Sequence, residues 1–319
     1  MLIQKHEKRQ PLAASICIFR KRSRCLRRLL FYNVVMIRRR FADTGIELPI
    51  VGQGTWGMGE DRARASEQIQ ALRTGIDLGM THIDAAELYG NGAAEELVGQ
   101  AIAGQRDRVF LTSKVLPGNA SYEATLRACE RSLRRLGTDR LDLYLLHWWS
   151  GQHPIRETMH AMEALVQAGK VRIIGVSNLD VAQLKQAEQA LESERLACNQ
   201  VCYHLKARGI EYSLIPYCRS RQIAVVGYSP FGSGNFVSER SKGGHVLATI
   251  GARHGKSPRQ VALNFLTRTE PLFAIPKAAR AEHVRENAGA AGWELAPEDL
   301  QAIDRAFPPP TQETPLEIL

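Results

Sequence analysis

The chain has 319 residues, 44% hydrophobic and 24% charged, the balance of a globular protein long enough to bury a substantial core. Its formal charge of +9 points at first to nucleic acid or an anionic membrane. Residues 1–35, however, carry nine of the 42 basic and one of the 33 acidic residues, a net +8, which leaves the rest at +1 and makes neither partner an expectation.

In that first segment, Arg20-Lys21-Arg22-Ser23-Arg24 and Arg27-Arg28 form an acid-poor stretch in the manner of a transit peptide or a polyanion-binding arm. Its apolar runs, 13–19 and 29–36, fall far short of the ~20 residues needed to span a bilayer. Residues 1–35 therefore read as a basic leader, disordered or not part of the native product. Met36 reads as the functional start, since hydrophobic patterning that looks like fold begins there. Six cysteines, Cys17, Cys25, Cys129, Cys198, Cys202 and Cys218, include no C-x-x-C pair. Cys198 and Cys202 lack a matching Cys/His pair at ligand spacing, so no metal is expected, and reduced thiols suit a cytoplasmic enzyme.

From residue 37 to 48, a charged strand, the turn Asp43-Thr44-Gly45 and a second short strand predict a β-hairpin. A short glycine-flanked apolar strand over 49–56 precedes helical periodicity over 65–78, stopped by Gly79. The alternation then repeats. Strands ending at Asp84, Lys114, His147, Val176, Cys202, Tyr228 and Pro276 precede helical sequence over 93–103, 122–136, 155–168, 181–191, 210–221, 246–254 with 258–268, and 281–291. Continuous apolar strands alternating with amphipathic helices imply a parallel sheet buried on both faces. Eight such units in about 270 residues fit a closed (β/α)8 TIM barrel with an N-terminal β-hairpin over 36–319. A doubly wound open sheet is the alternative, but no G-x-G-x-x-G follows the first strand.

In such a barrel the C-terminal strand ends share one face. Here they are Thr55 and Trp56, Asp84, Lys114, His147, Ser177 and Asn178, Gln200, Tyr228 and Ser229, and Lys277. A phenol titrates near pH ~10 and is a weak acid unless positive charge lies beside it. Tyr89 lies five residues beyond Asp84; Lys114 can supply that charge, Asp84 can hold the lysine, and His147 can orient a carbonyl oxygen. This suits reduction of a C=O group, with a hydride arriving at carbon and a proton at oxygen.

At these residues the chain resembles the aldo-keto reductase family. Asp84-x-x-x-x-Tyr89, Lys114 in Thr112-Ser113-Lys114-Val115 and His147 in Leu145-Leu146-His147-Trp148 are similar to its catalytic tetrad in order and spacing, over roughly residues 37 to 319. The resemblance implies that NADPH, or more weakly NADH, donates the hydride, with Tyr89 as general acid, Asp84 and Lys114 tuning it and His147 orienting the substrate. Ser177 and Asn178 of Gly175-Val176-Ser177-Asn178, with Gln200, are implied to hold the nicotinamide carboxamide, and Tyr228 to stack on its ring. Ser229, Phe231, Gly232 and Ser233 resemble the pyrophosphate-wrapping loop; Lys277 resembles the reader of the ribose 2′-phosphate, and Glu286 and Asn287 the adenine-side pair. Where many animal members carry a second phosphate-binding arginine, this chain has His283, with Arg280 and Arg285 near enough in sequence to compensate.

Thr55 and Trp56 are expected to border the cofactor, and Trp56 and Trp148 to wall the substrate pocket. The short proline-rich tail from Phe307 to Leu319 implies a wide, permissive site, and the 275–287 motifs look most like bacterial members acting on small aldehydes such as methylglyoxal. The expectation is a cytoplasmic, monomeric NADPH-dependent aldehyde reductase whose partner is a small carbonyl compound. Two alternatives stay open: an oxidising alcohol or sugar dehydrogenase using the same residues, and a nicotinamide-binding regulatory subunit with slow turnover.

Overall fold

A computed structural model describes residues 36–319, so the leader expected over 1–35 lies outside the described residues. The hairpin comes first: β1 (Arg38–Phe41) pairs antiparallel with β2 (Ile46–Pro49), Phe41 opposite Ile46. Gly45 closes the turn at a φ of 69°, with open space where a Cβ would stand, so the backbone conformation alone demands glycine there. Phe41 is buried with its ring 5.6 Å from Phe110 and 5.2 Å from Phe273, which floors one end of the barrel. Arg39 fastens the hairpin by donating to the carbonyls of Thr267, Thr269 and Leu272.

Eight parallel strands follow in sequence order around one sheet: β3 (Gln53–Gly54), β4 (His82–Asp84), β5 (Phe110–Val115), β6 (Leu141–Leu146), β7 (Val171–Ser177), β8 (Leu196–Cys202), β9 (Ala224–Tyr228) and β10 (Leu272–Ala274). The last strand meets the first through Gly52 N to Ala274 O (2.8 Å) and Gly54 N to Pro276 O (3.2 Å), which closes the barrel. Outside it run α1 (Ala65–Asp77), α2 (Ala93–Ile102), α3 (Tyr122–Leu136), α4 (Ile155–Gln167), α5 (Val181–Gln189), α6 (Leu214–Ser220), α7 (Lys242–His254), α8 (Pro258–Leu266), α9 (Ala281–Ala288) and α10 (Pro297–Ala306). The α3 helix shows why the boundaries are readable: the Ser121 hydroxyl caps its start, basic Arg134 and Arg135 fill its last turn, and Gly137 leaves it at φ 62°.

Along β6, Leu143 and Leu145 join Phe41, Cys198, Val226 and Phe273 inside the barrel, while Tyr144 and Leu146 join the outer core with the helices. Because Lys114 is the register partner of Leu145, it too points inward, one layer above the apolar filling. The fold differs from the expectation in three places. The first barrel strand shrinks to Gln53–Gly54, since Pro49 ends β2 and the chain then crosses its neighbours at contact distance: a Cβ on Gly54 would lie 2.6 Å from the Ile275 carbonyl oxygen. The helix expected over 210–221 starts only at Leu214, because Pro216 has no N–H to give Tyr212 and is tolerated only in a first turn. A further helix, α10, lies beyond those expected, with a Pro297 start and an acidic first turn as its helix signals; it docks by burying Asp299 against Arg253 and His254.

Candidate active site

Asp84 ends β4, Lys114 is the penultimate residue of β5 and His147 follows β6, so the inward phase of three neighbouring strands delivers them to one end of the barrel. Tyr89 reaches them from the turn leading into α2, where Gly90, Asn91 and Gly92 all take left-handed φ. The Lys114 Nζ lies 2.6 Å from Asp84 Oδ1, 3.0 Å from the Ala85 carbonyl oxygen and 2.9 Å from Tyr89 OH. An ammonium has three hydrogens and accepts none. All three are committed here, and the Tyr89 oxygen is therefore an acceptor from Lys114, with its own proton free to point elsewhere. Asp84 is fixed further by Gln200 Nε2 on its second oxygen (2.9 Å) and by the Thr55 hydroxyl on its carbonyl (2.8 Å).

Burial by itself would lower Lys114, which has no exposed surface, but the Asp84 carboxylate and the Tyr89 oxygen outweigh it and hold the ammonium above its ordinary pKa. Burial raises Tyr89, with Lys114 pulling the other way, so the phenol keeps its proton at neutral pH. His147 is driven down to about 2, by burial first and then by the Lys114 cation, and is a neutral imidazole. Its ring stands 5.7 Å from that of Tyr89, and its Nδ1 is buried without a hydrogen-bond partner among the described residues.

Asp84, Tyr89 and His147 open onto a cavity of about 770 Å³, with Lys114 buried behind them. On its wall a chain of bonds links the polar residues of β7, β8 and β9: Tyr228 OH donates to Asn178 Oδ1 (2.9 Å), Asn178 Nδ2 to the His147 carbonyl (3.1 Å), and Ser177 Oγ to the Gln200 carbonyl (2.8 Å). Trp56 packs edge-on against Tyr89, 5.0 Å away, and Trp148 against His147; both border the cavity, whereas Trp149 packs on the outer core. Beyond Tyr228, Ser229 and Ser233 hold left-handed φ of 49° and 50°, a conformation these residue types adopt only under constraint. Ser229, Phe231 and Ser233 line the cavity; Gly232 belongs to the same turn without forming wall. Lys277 borders both this cavity and a second one of about 530 Å³, whose other walls include Arg64, Arg280 and His283.

On the adenine side, Glu286 and Asn287 border neither cavity. Glu286 accepts from the Ser257 hydroxyl that caps α8 (2.7 Å), and Asn287 is buried in the packing of α9. Arg259, Ile318 and Leu319 line the large cavity without having been picked out in the sequence. The tail that was expected to leave the site open instead folds back to its mouth. Only Arg259 carried a legible signal, a cation in the first turn of a helix.

Residues 50–307 match the model of the aldo/keto reductase family. Methylglyoxal reductase YeaE of Escherichia coli (strain K12) is 46% identical over 274 residues, covering 86% of this chain and 96% of that protein. Glyoxal reductase of Bacillus subtilis (strain 168) is 36% identical over 263 residues, covering 82% and 89%. An aldo-keto reductase from Klebsiella pneumoniae solved in complex with NADPH superposes with a TM-score of 0.84 at 45% identity, over 89% of this chain and all of that one. This chain belongs to the aldo/keto reductase family.

Proposed function

We propose that the protein reduces small aldehydes and ketones with NADPH, and the observation that carries this is the Lys114 ammonium held between Asp84 and Tyr89 behind the cavity. The residues present fit the dinucleotide. Amide and hydroxyl groups of Ser177, Asn178 and Gln200 would hold the carboxamide beside the flat Tyr228 ring, and Thr55 and Trp56, which line the same cavity, would border it. Ser229, Phe231 and Ser233 would wrap the pyrophosphate, and Lys277, with Arg280 and Arg64 across the second cavity, would meet a 2′-phosphate. When bound, NADPH supplies the hydride that the carbonyl carbon takes up.

Tyr89 gives its proton to the carbonyl oxygen, because Lys114 occupies the phenol's other side and stabilises the phenolate left behind. Asp84 keeps that fully buried lysine charged, and solvent entering the cavity returns the proton to Tyr89 once the alcohol leaves. His147, neutral, orients the carbonyl oxygen by hydrogen bonding rather than by proton donation. Trp56 and Trp148 wall the substrate end, and relatives named for methylglyoxal and glyoxal support a small dicarbonyl aldehyde as substrate. We read the enzyme as a cytoplasmic monomer; the free thiols of Cys129, Cys198, Cys202 and Cys218 support a reducing compartment. Among the described residues, no helix is long and apolar enough to cross a membrane.

Oxidation of NADPH by methylglyoxal tests the reading in wild type and Tyr89→Phe. The variant should lose about 10²- to 10⁴-fold in kcat while binding NADPH as before. Turnover within tenfold of wild type would show that Tyr89 is not the proton donor.

A further inference from the structure

Arg259 stands in the first turn of α8, directly after Pro258, where the helix dipole is positive and a cation is disfavoured. Its side chain is exposed, so water solvates the charge unless an anion enters the cavity it borders. Among the described residues its guanidinium makes no ion pair and no hydrogen bond. Its contacts are aromatic: it lies 5.0 Å from the Phe231 ring centroid and 4.5 Å from that of Phe236, two rings packed edge to face at 5.6 Å. It borders the large cavity together with Ser229, Phe231, Ser233 and Lys277, and it is absent from the second cavity, where Lys277, Arg280 and Arg64 gather.

We propose that Arg259 binds the pyrophosphate of the nicotinamide dinucleotide and carries the 229–236 loop onto it through its contact with Phe231 and Phe236. This rests on the cofactor reading above and adds a residue to it. The cations of the second cavity are placed for a 2′-phosphate, and the other anion of the dinucleotide along this wall is the pyrophosphate. A planar guanidinium can present two parallel donors to such a group while its flat face stays on the rings. The loop is already held from its far side, where Lys206 Nζ donates to the Asn235 carbonyl oxygen (2.9 Å). With Arg259 engaged, both sides of the loop would be fixed.

Pyrophosphate is common to NADPH and NADH, so the two cofactors separate this role from that of Lys277. Titration of the full-length protein with each, read by tryptophan quenching, should show Arg259→Ala weakening both by a similar factor, about tenfold or more. Lys277→Ala should weaken NADPH far more than NADH. Phe236→Leu keeps the cation and loosens the loop, and should cost less than Arg259→Ala while speeding dissociation of both cofactors. Arg259→Ala within twofold of wild type for both cofactors overturns the proposal, as does a loss confined to NADPH. If the unaltered protein binds neither cofactor, the cofactor reading itself fails and takes this inference with it.

Discussion

Replacing Asp84 by asparagine keeps the shape of the side chain and removes its charge, which leaves Lys114 as a buried ammonium facing an amide, a carbonyl and a phenol. The pair it breaks lies 2.6 Å apart with 0% and 1% of the two side chains exposed, so water cannot take over the lost contact. Removing one partner of such a pair costs about 3–5 kcal/mol. The lysine's escape is to give up its proton, and for a group of ordinary pKa near 10.5 that costs about 5 kcal/mol at pH 7, at about 1.36 kcal/mol per unit, so escape limits the loss to the same range. Urea unfolding at pH 7 should show that destabilisation. Turnover with NADPH and methylglyoxal should fall by at least about 10²-fold, since a neutral amine no longer stabilises the phenolate. The pH profile carries the mechanism: residual activity of Asp84→Asn should decline as pH rises through the lowered lysine pKa, over a range in which wild type is flat. A variant within 1 kcal/mol of wild type in stability and within tenfold in kcat would refute the account of Lys114 as a charge held in place by Asp84.

Two further outcomes follow from the same physics. His82 and His147 are held neutral by burial, down to about 4 and about 2, while in the unfolded chain both titrate near pH ~6.5. Across that window the unfolded chain binds more protons, so their contribution is fully present above pH ~6.5 and lost as pH falls. At pH 5 each should cost about 2 kcal/mol, and unfolding free energies at pH 7.5 and 5.0 that agree within 1 kcal/mol would overturn this. Gly99 of α2 crosses the end of α3 so closely that a Cβ would lie 2.7 Å from the Leu136 carbonyl oxygen and 3.0 Å from that of Arg135. Gly99→Ala should therefore destabilise by about 1–3 kcal/mol despite alanine's better helix propensity, and an unchanged urea midpoint would contradict it.

The barrel was legible because its signals are local. A buried parallel strand is a continuous apolar run, a helix shows its period and its caps, and the residue ending each run is marked by the change to polar sequence. Asp84, Lys114 and His147 were found that way, and the spacing from Asp84 singled out Tyr89. The α6 boundary and α10 are equally local, written in Pro216 and Pro297.

What the chain order alone could not decide is which groups meet and in which direction they bond. That Lys114 spends its third hydrogen on Tyr89, leaving the phenol proton for the cavity, depends on a turn of left-handed residues between two strands. Glu286 has the right type and spacing for a cofactor contact, yet tertiary packing turns it toward Ser257. Ile318 and Leu319 lie at the mouth of a pocket whose other residues stand more than 40 positions earlier, and Arg259 reaches that pocket only because α8 begins beside the 229–236 loop. Contacts of this kind join segments whose separation along the chain carries no information about their distance in space. Local sequence specifies most of the elements and the residue types at their ends; the closing of the barrel brings particular ends into one site.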